Sequence, residues 1–232
     1  MSGFVFKQFT VEQTRSAMKV STDGILLGAW AELANAKYLL DIGTGTGLLA
    51  LMAKQRALKA KVVAIEVDAE ACIDAKFNFA NSPWPEICLH HGAIQSFQST
   101  QPFDVIITNP PYFNASLQGD NEARNTARHT DGLGFSELIE CCTRLSHANT
   151  LLNVILPCKE ASSFIEQAKC KGWNLARMCN VRTTLKKPPS RSLMLFSLQS
   201  EVCKTHSLTI HAADGGYSDE YVSLCKDFYL KM

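Results

Sequence analysis

The chain has 232 residues, of which 46% are hydrophobic and 19% charged, with a net charge of +1; this is globular composition and about enough length for one α/β domain plus an extension. No stretch approaches the roughly 20 uninterrupted apolar residues of a membrane helix, and Met1 to Phe9 lacks the layout of a secretory leader, so a cytoplasmic protein with no membrane partner is expected. The nine cysteines include no Cys-x-x-Cys pair and mostly sit in apolar company, which predicts reduced core residues and no metal site.

In chain order, residues 1–35 come first. They read as an N-terminal extension packing on the main domain, with an aromatic segment from Phe4 to Phe9 and an apolar helix-like run, Gly24 to Ala34, which Thr22 or Asp23 would cap. From residue 37 onward short apolar runs alternate with amphipathic ones, the pattern of a mainly parallel sheet covered by helices over 36–232. Strands are expected at Tyr38–Ile42, Val62–Glu66, Ile87–His90, Asp104–Thr108, Leu151–Leu156, Leu175–Arg182 and Leu193–Leu198. Helices are expected at Leu48–Ala57, Ala69–Asn81, Gly134–Ser146 and Lys159–Lys171, the last stopped by Gly172. Asn114 to Asp131 is a long polar loop with few strand or helix signals, a length often associated with function.

Charge is unevenly spread. Residues 36–158 carry nine basic and twelve acidic side chains, whereas residues 159–204 carry nine basic and three acidic ones, a balance of +6. Within that segment Arg182, Lys186, Lys187 and Arg191 fall in ten positions with no acid, which suits either a phosphate-contacting surface or a solvated basic loop.

Two motifs carry chemistry. The first, Asp41-Ile42-Gly43-Thr44-Gly45-Thr46-Gly47, leaves a strand and enters a helix, where glycines let the backbone turn sharply and approach a ligand. Its third glycine arrives one residue too early for a dinucleotide fingerprint, which disfavours a nicotinamide oxidoreductase. The motif resembles the first motif of class I S-adenosylmethionine-dependent methyltransferases. That resemblance implies a Rossmann-like fold, a doubly wound and mostly parallel seven-stranded sheet with a short N-terminal extension, and S-adenosylmethionine as cofactor. It assigns Asp41, Gly43, Thr44, Gly45 and Gly47 to the methionine and ribose side of the cofactor. Glu66, nineteen residues beyond Gly47, is assigned to the ribose hydroxyls. Asp68 is the nearest competitor and reads better as a helix cap. Many relatives carry an acid for the cofactor's adenine where this chain has Ala93 in Gly92-Ala93-Ile94; backbone groups and packing against Ile94 are expected to hold the adenine instead.

The second motif, Asn109-Pro110-Pro111-Tyr112-Phe113, ends the fourth strand and resembles the Asn-Pro-Pro-Tyr motif of amino and amide N-methyltransferases. An aromatic NH₂ is a poor nucleophile because its lone pair is delocalised. Two acceptors, the Asn109 side-chain carbonyl and the Pro110 backbone carbonyl, would orient that nitrogen and favour its developing positive charge. Tyr112, extended by Pro111 and Phe113, would stack on the planar target. Asn109 would also border the cofactor.

Phe6-Lys7-Gln8-Phe9, Met18 to Gly24, the second motif and Ala127 to Asp131 together resemble a family of bacterial tRNA adenine N6-methyltransferases acting just 3′ of the anticodon in a valine tRNA. The resemblance implies a tRNA partner, places Lys19, Thr22 and Asp23 beside the cofactor pocket, and puts Arg128 and His129 near the incoming nucleotide. Arg182, Lys186, Lys187 and Arg191 would grip phosphates. Methylation of a release-factor glutamine, methylation of an rRNA adenine, and an RNA-binding module without turnover are the alternatives.

Overall fold

The computed structural model describes residues 3–111, 133–200 and 202–232. An N-terminal hairpin of β1 (Phe4–Val5) and β2 (Thr10–Val11) precedes α1 (Thr22–Trp30). There follow β3 (Tyr38–Ile42), α2 (Leu48–Arg56), β4 (Lys61–Glu66), α3 (Ala69–Ala80), β5 (Cys88–His91) and β6 (Phe103–Thr108). The second half holds α4 (Phe135–Arg144), β7 (Ser146–Pro157), α5 (Cys158–Cys170), β8 (Asn174–Arg182), β9 (Arg191–Ser197), β10 (Lys204–Thr209) and α6 (Asp219–Cys225).

The strands form one sheet in the order β10-β8-β9-β7-β6-β3-β4-β5. Only β9 among them runs against its neighbours, β7 and β8, so seven strands point their carboxyl ends the same way. The sheet therefore has eight strands where seven are expected. The extra one, β10, is a polar edge strand of sequence Lys-Thr-His-Ser-Leu-Thr that joins through backbone pairing to β8. The N-terminal hairpin and α6, two- and seven-residue elements, also escape pattern reading.

Alternate strand residues feed two cores, as the two-residue period requires. Leu39, Val105 and Ile107 pack on one face with α1, α2, α3 and α6, while Leu40, Ile42 and Ile106 pack on the other with α4 and α5. Helices on both faces make the sheet doubly wound. The N-terminal hairpin belongs to the first core: Phe6 stacks on Phe9, and Phe9 meets Trp84 edge-on. Helix α1 is capped by Ser21, whose Oγ accepts from Gly24 N at 3.2 Å; Thr22 and Asp23, the caps suggested by sequence, already lie within the helix. Asp68 does cap α3, accepting from Ala71 N at 2.8 Å.

At the amino end of the sheet, Asp104 accepts from the amides of Lys37 and Tyr38 and pairs with His147. Burial pushes this carboxyl up, but those donors outweigh it and hold it below the ordinary value.

The turn from β3 into α2 depends on glycine. Gly43, Gly45 and Gly47 have φ of 71°, 55° and 86°, a left-handed region that costs other residues about 1–3 kcal/mol. A Cβ on Gly45 would meet nothing within 4 Å, whereas one on Gly47 would lie 2.5 Å from the Phe79 ring. Urea denaturation should therefore show Gly45→Ala losing about 1 kcal/mol and Gly47→Ala losing roughly 3 kcal/mol or more. Equal losses would mean that the Phe79 contact is unimportant.

Candidate active site

The site follows from strand register. Ile42 pairs with Ile65 of β4 on one side and with Thr108 of β6 on the other. Gly43, Glu66 and Asn109 are thus each one residue beyond the same rung and leave the sheet side by side. Glu66 is in turn paired with His91, which delivers Gly92 to the same edge. These tails border a cavity of about 410 Å³ at the carboxyl end of the sheet, a size that suits a cofactor-scale ligand.

Of the residues assigned to a cofactor by sequence, Gly43, Thr44, Gly45, Glu66, Ala93, Ile94 and Asn109 line this cavity. Asp41 and Gly47 are not part of its wall. Asp41 is fully buried behind the glycine turn, where its Oδ2 accepts from Thr44 Oγ at 2.5 Å. It supports the turn from beneath. Gly47 packs against Phe79 at the start of α2.

Glu66 is held firmly. Its Oε2 accepts from Gly45 N at 2.8 Å, and its Oε1 from Val67 N and Asp68 N at 2.9 and 3.0 Å. An ionised carboxylate offers about four acceptor directions, so these bonds leave about one. A diol arriving here would take that direction and compete with Gly45 N–H for Oε2.

Past β5, Ala93 and Ile94 form the apolar end of the cavity. The Ala93 carbonyl accepts from Ser96, and Arg144 engages the carbonyls of Ile94 and Phe97, which fixes the loop. Gln95, the residue after Ile94, also lines the cavity. Sequence reading missed it because nothing local marks it.

Asn109 and Pro111 line the cavity, while Pro110 is buried beside it. The Asn109 Oδ1 is buried and has no hydrogen-bond partner among the described residues. A buried carbonyl left unpaired costs about 1–3 kcal/mol, and this one belongs to a residue that lines the cavity. Tyr112, Phe113, Arg128 and His129, also singled out by sequence, lie outside the described residues.

Met18, Lys19, Ser21 and Gly24 also line the cavity. The segment leading to them is tied to α3: Asp74 accepts from Arg15 N and Ser16 N, and Asn78 bonds both Glu12 and the Thr46 carbonyl of the glycine turn. Lys19 therefore borders the cavity as expected, whereas Thr22 and Asp23 face a neighbouring one. Asp74 and Asn78 carry no motif and become visible only through these long-range bonds.

The four basic residues share the carboxyl end of the sheet with the cavity but differ in availability. Lys186 and Lys187 are exposed on the β8–β9 loop. Arg182 donates to Thr209, and Arg191 donates to Asp23 at 2.7 Å. Among the described residues no group of three or more His, Cys, Asp and Glu is placed to hold a metal, and no helix is long and apolar enough to cross a membrane.

Burial pushes the Asp41 carboxyl up to about 7; the Thr44 hydrogen bond opposes this and the Glu66 charge adds to it. A folded-state value above the unfolded one near 3.8 means that the native chain holds the extra proton between these limits. Its stabilising contribution is complete below about pH 4, declines as pH rises and is lost above about pH 7. Removing the titration with Asp41→Asn should therefore shift stability in the variant's favour by a few kcal/mol between about pH 4 and 7, with no further change above. Denaturant melts across that range would expose a pH-independent difference, which is incompatible with a raised Asp41.

Comparison with known proteins agrees with this arrangement. Residues 21–128 match the methyltransferase small domain family. A tRNA1(Val) (adenine(37)-N6)-methyltransferase of Pseudoalteromonas translucida is 56% identical over 232 residues, covering 100% of both chains. The protein of the same description from Vibrio parahaemolyticus is 46% identical, covering 99% of this chain and 96% of its own. Among solved structures, a predicted O-methyltransferase from Agrobacterium tumefaciens superposes with a TM-score of 0.69 at 17% identity, covering 89% of this chain and 96% of the other, so the fold is the Rossmann-like one of class I methyltransferases. With full-length identity at this level and a cavity built from the glycine turn, Glu66 and Asn109, the chain belongs to the tRNA1(Val) (adenine(37)-N6)-methyltransferase family.

Proposed function

We propose that this protein transfers the methyl group of S-adenosylmethionine to the exocyclic N6 of an adenosine in tRNA, the adenosine at position 37 of a valine tRNA. The names of its full-length relatives support the substrate, and the unpaired Oδ1 of Asn109 at the cavity wall carries the chemistry.

The cavity fits the cofactor. Glu66 would take the ribose hydroxyls, Gly43 to Gly45 would pass close to the ribose and methionine side, and Asp41 would brace that turn through Thr44. The apolar end at Ile94 suits adenine, with the Gln95 amide as the polar partner in place of an acid. The bound cofactor supplies an electrophilic methyl group on a sulfonium.

The protein's own part is to orient the amine. Asn109 Oδ1 accepts one N6–H and the Pro110 carbonyl the other, which turns the nitrogen lone pair toward the methyl and stabilises the positive charge that develops there. Tyr112 stacks on the base, Phe113 and Pro111 extend that surface, and Arg128 and His129 meet the incoming nucleotide. Lys186 and Lys187, joined by Arg182 and Arg191, attract phosphate, so binding should weaken as salt rises. Acting on tRNA, the protein would work in the cytoplasm.

Asn109→Ala should lower kcat for transfer to a valine tRNA transcript by about 100-fold or more, with cofactor affinity changed little. Labelled-methyl assays with calorimetric titration of the cofactor would check this. A variant that keeps parental kcat would remove Asn109 from the chemistry.

A further inference from the structure

A second cavity, of about 450 Å³, adjoins the first across the start of α1, and Ser21 lines both. One side carries an aromatic face: the His211 and Tyr217 rings stack with centroids 5.3 Å apart and planes at 21°, and Tyr217 leans on Tyr221 at 5.0 Å. Tyr217 nevertheless remains 45% exposed. Thr183, whose carbonyl accepts from His211 N at 2.9 Å, continues the wall from the aromatic side, and Ser190 and Arg191 extend it; these are the two ends of the loop that carries Lys186 and Lys187. Arg182 to Arg191 contains four basic residues and no acid.

We infer that this cavity is a second nucleotide subsite, which takes the base of a residue flanking the target adenosine onto the exposed Tyr217 ring and its phosphate onto the Lys186–Lys187 loop. The inference rests on the RNA substrate proposed above. Three observations support it. An exposed ring braced by stacking is a preformed surface for a planar base, and every base has a face to offer it. The charges give the nucleotide a direction, since Asp219 and Glu220 open α6 beside Tyr217 and would repel a phosphate, while the Lys186–Lys187 loop, which carries no acid, attracts one. Continuity supplies the third, because Ser21 lines both cavities and Thr22 and Asp23 line the second, which puts the two within reach of neighbouring nucleotides of one strand. Arg191 neutralises Asp23 through their 2.7 Å pair.

The test uses the full-length protein, S-adenosylmethionine and a valine-tRNA anticodon stem-loop. Tyr217→Ala should raise KM for the RNA about tenfold, with kcat within about twofold of the parent and cofactor affinity unchanged; Tyr217→Phe, which keeps the ring, should behave as the parent. An unchanged KM in Tyr217→Ala overturns the subsite while leaving the proposed function standing, as does a loss of cofactor binding alongside the KM effect, which would mark Tyr217 as structural. A parent protein that methylates no RNA overturns both. As a check needing no variant, 2-aminopurine placed singly at positions flanking the target should be quenched at one of them when the parent binds; no quenching at any position overturns the subsite.

Discussion

The register of β3 between β4 and β6 is the constraint on which the rest depends. Because Ile42 is level with both Ile65 and Thr108, the glycine turn, the Glu66 carboxylate and the Asn109 amide emerge at one height from three adjacent strands. Strands in a sheet are about 4.8 Å apart, so three such tails span the width of a small ligand. A shift by one residue in either pairing would turn every side chain of that strand to the opposite face and separate the three groups. The apolar alternation that feeds the two cores therefore also sets the geometry of the site.

The site also carries stored polar cost. Among the described residues four buried side-chain atoms lack a partner, and two of them, Asp41 Oδ1 and Asn109 Oδ1, lie at this end of the sheet. Each costs on the order of 1–3 kcal/mol in the ligand-free chain. The two differ in kind: Asn109 lines the cavity, where a donor from a ligand can reach it, whereas Asp41 is buried behind the turn, where burial raises its carboxyl's hold on a proton. Asp74 and Asn78, by contrast, close their polar groups on the N-terminal segment that leads to the cavity wall.

Much of this was legible in the sequence. Strands buried on both faces, such as Val62–Glu66 and Asp104–Thr108, read as apolar runs, and both motifs sit at strand ends where special backbone or side-chain chemistry is required. What escaped depends on pairing between distant parts of the chain. β10 is polar and joins the sheet through its backbone, so its composition gives no signal. Asp23 reads as a helix cap until Arg191, far along the chain, is seen to hold it. Gln95 and Asn78 are ordinary residues whose positions matter because of what lies opposite them. Asp41 belongs to its motif but acts on the turn and does not line the cavity.

The most direct measurement is a crystal structure of the protein with S-adenosylhomocysteine and an anticodon stem-loop of valine tRNA. The account predicts the ribose hydroxyls on Glu66 and the N6 of the target adenosine within hydrogen-bond distance of Asn109 Oδ1. An adenosine bound with its N6 turned away from Asn109, or a cofactor product seated away from Glu66, would contradict it.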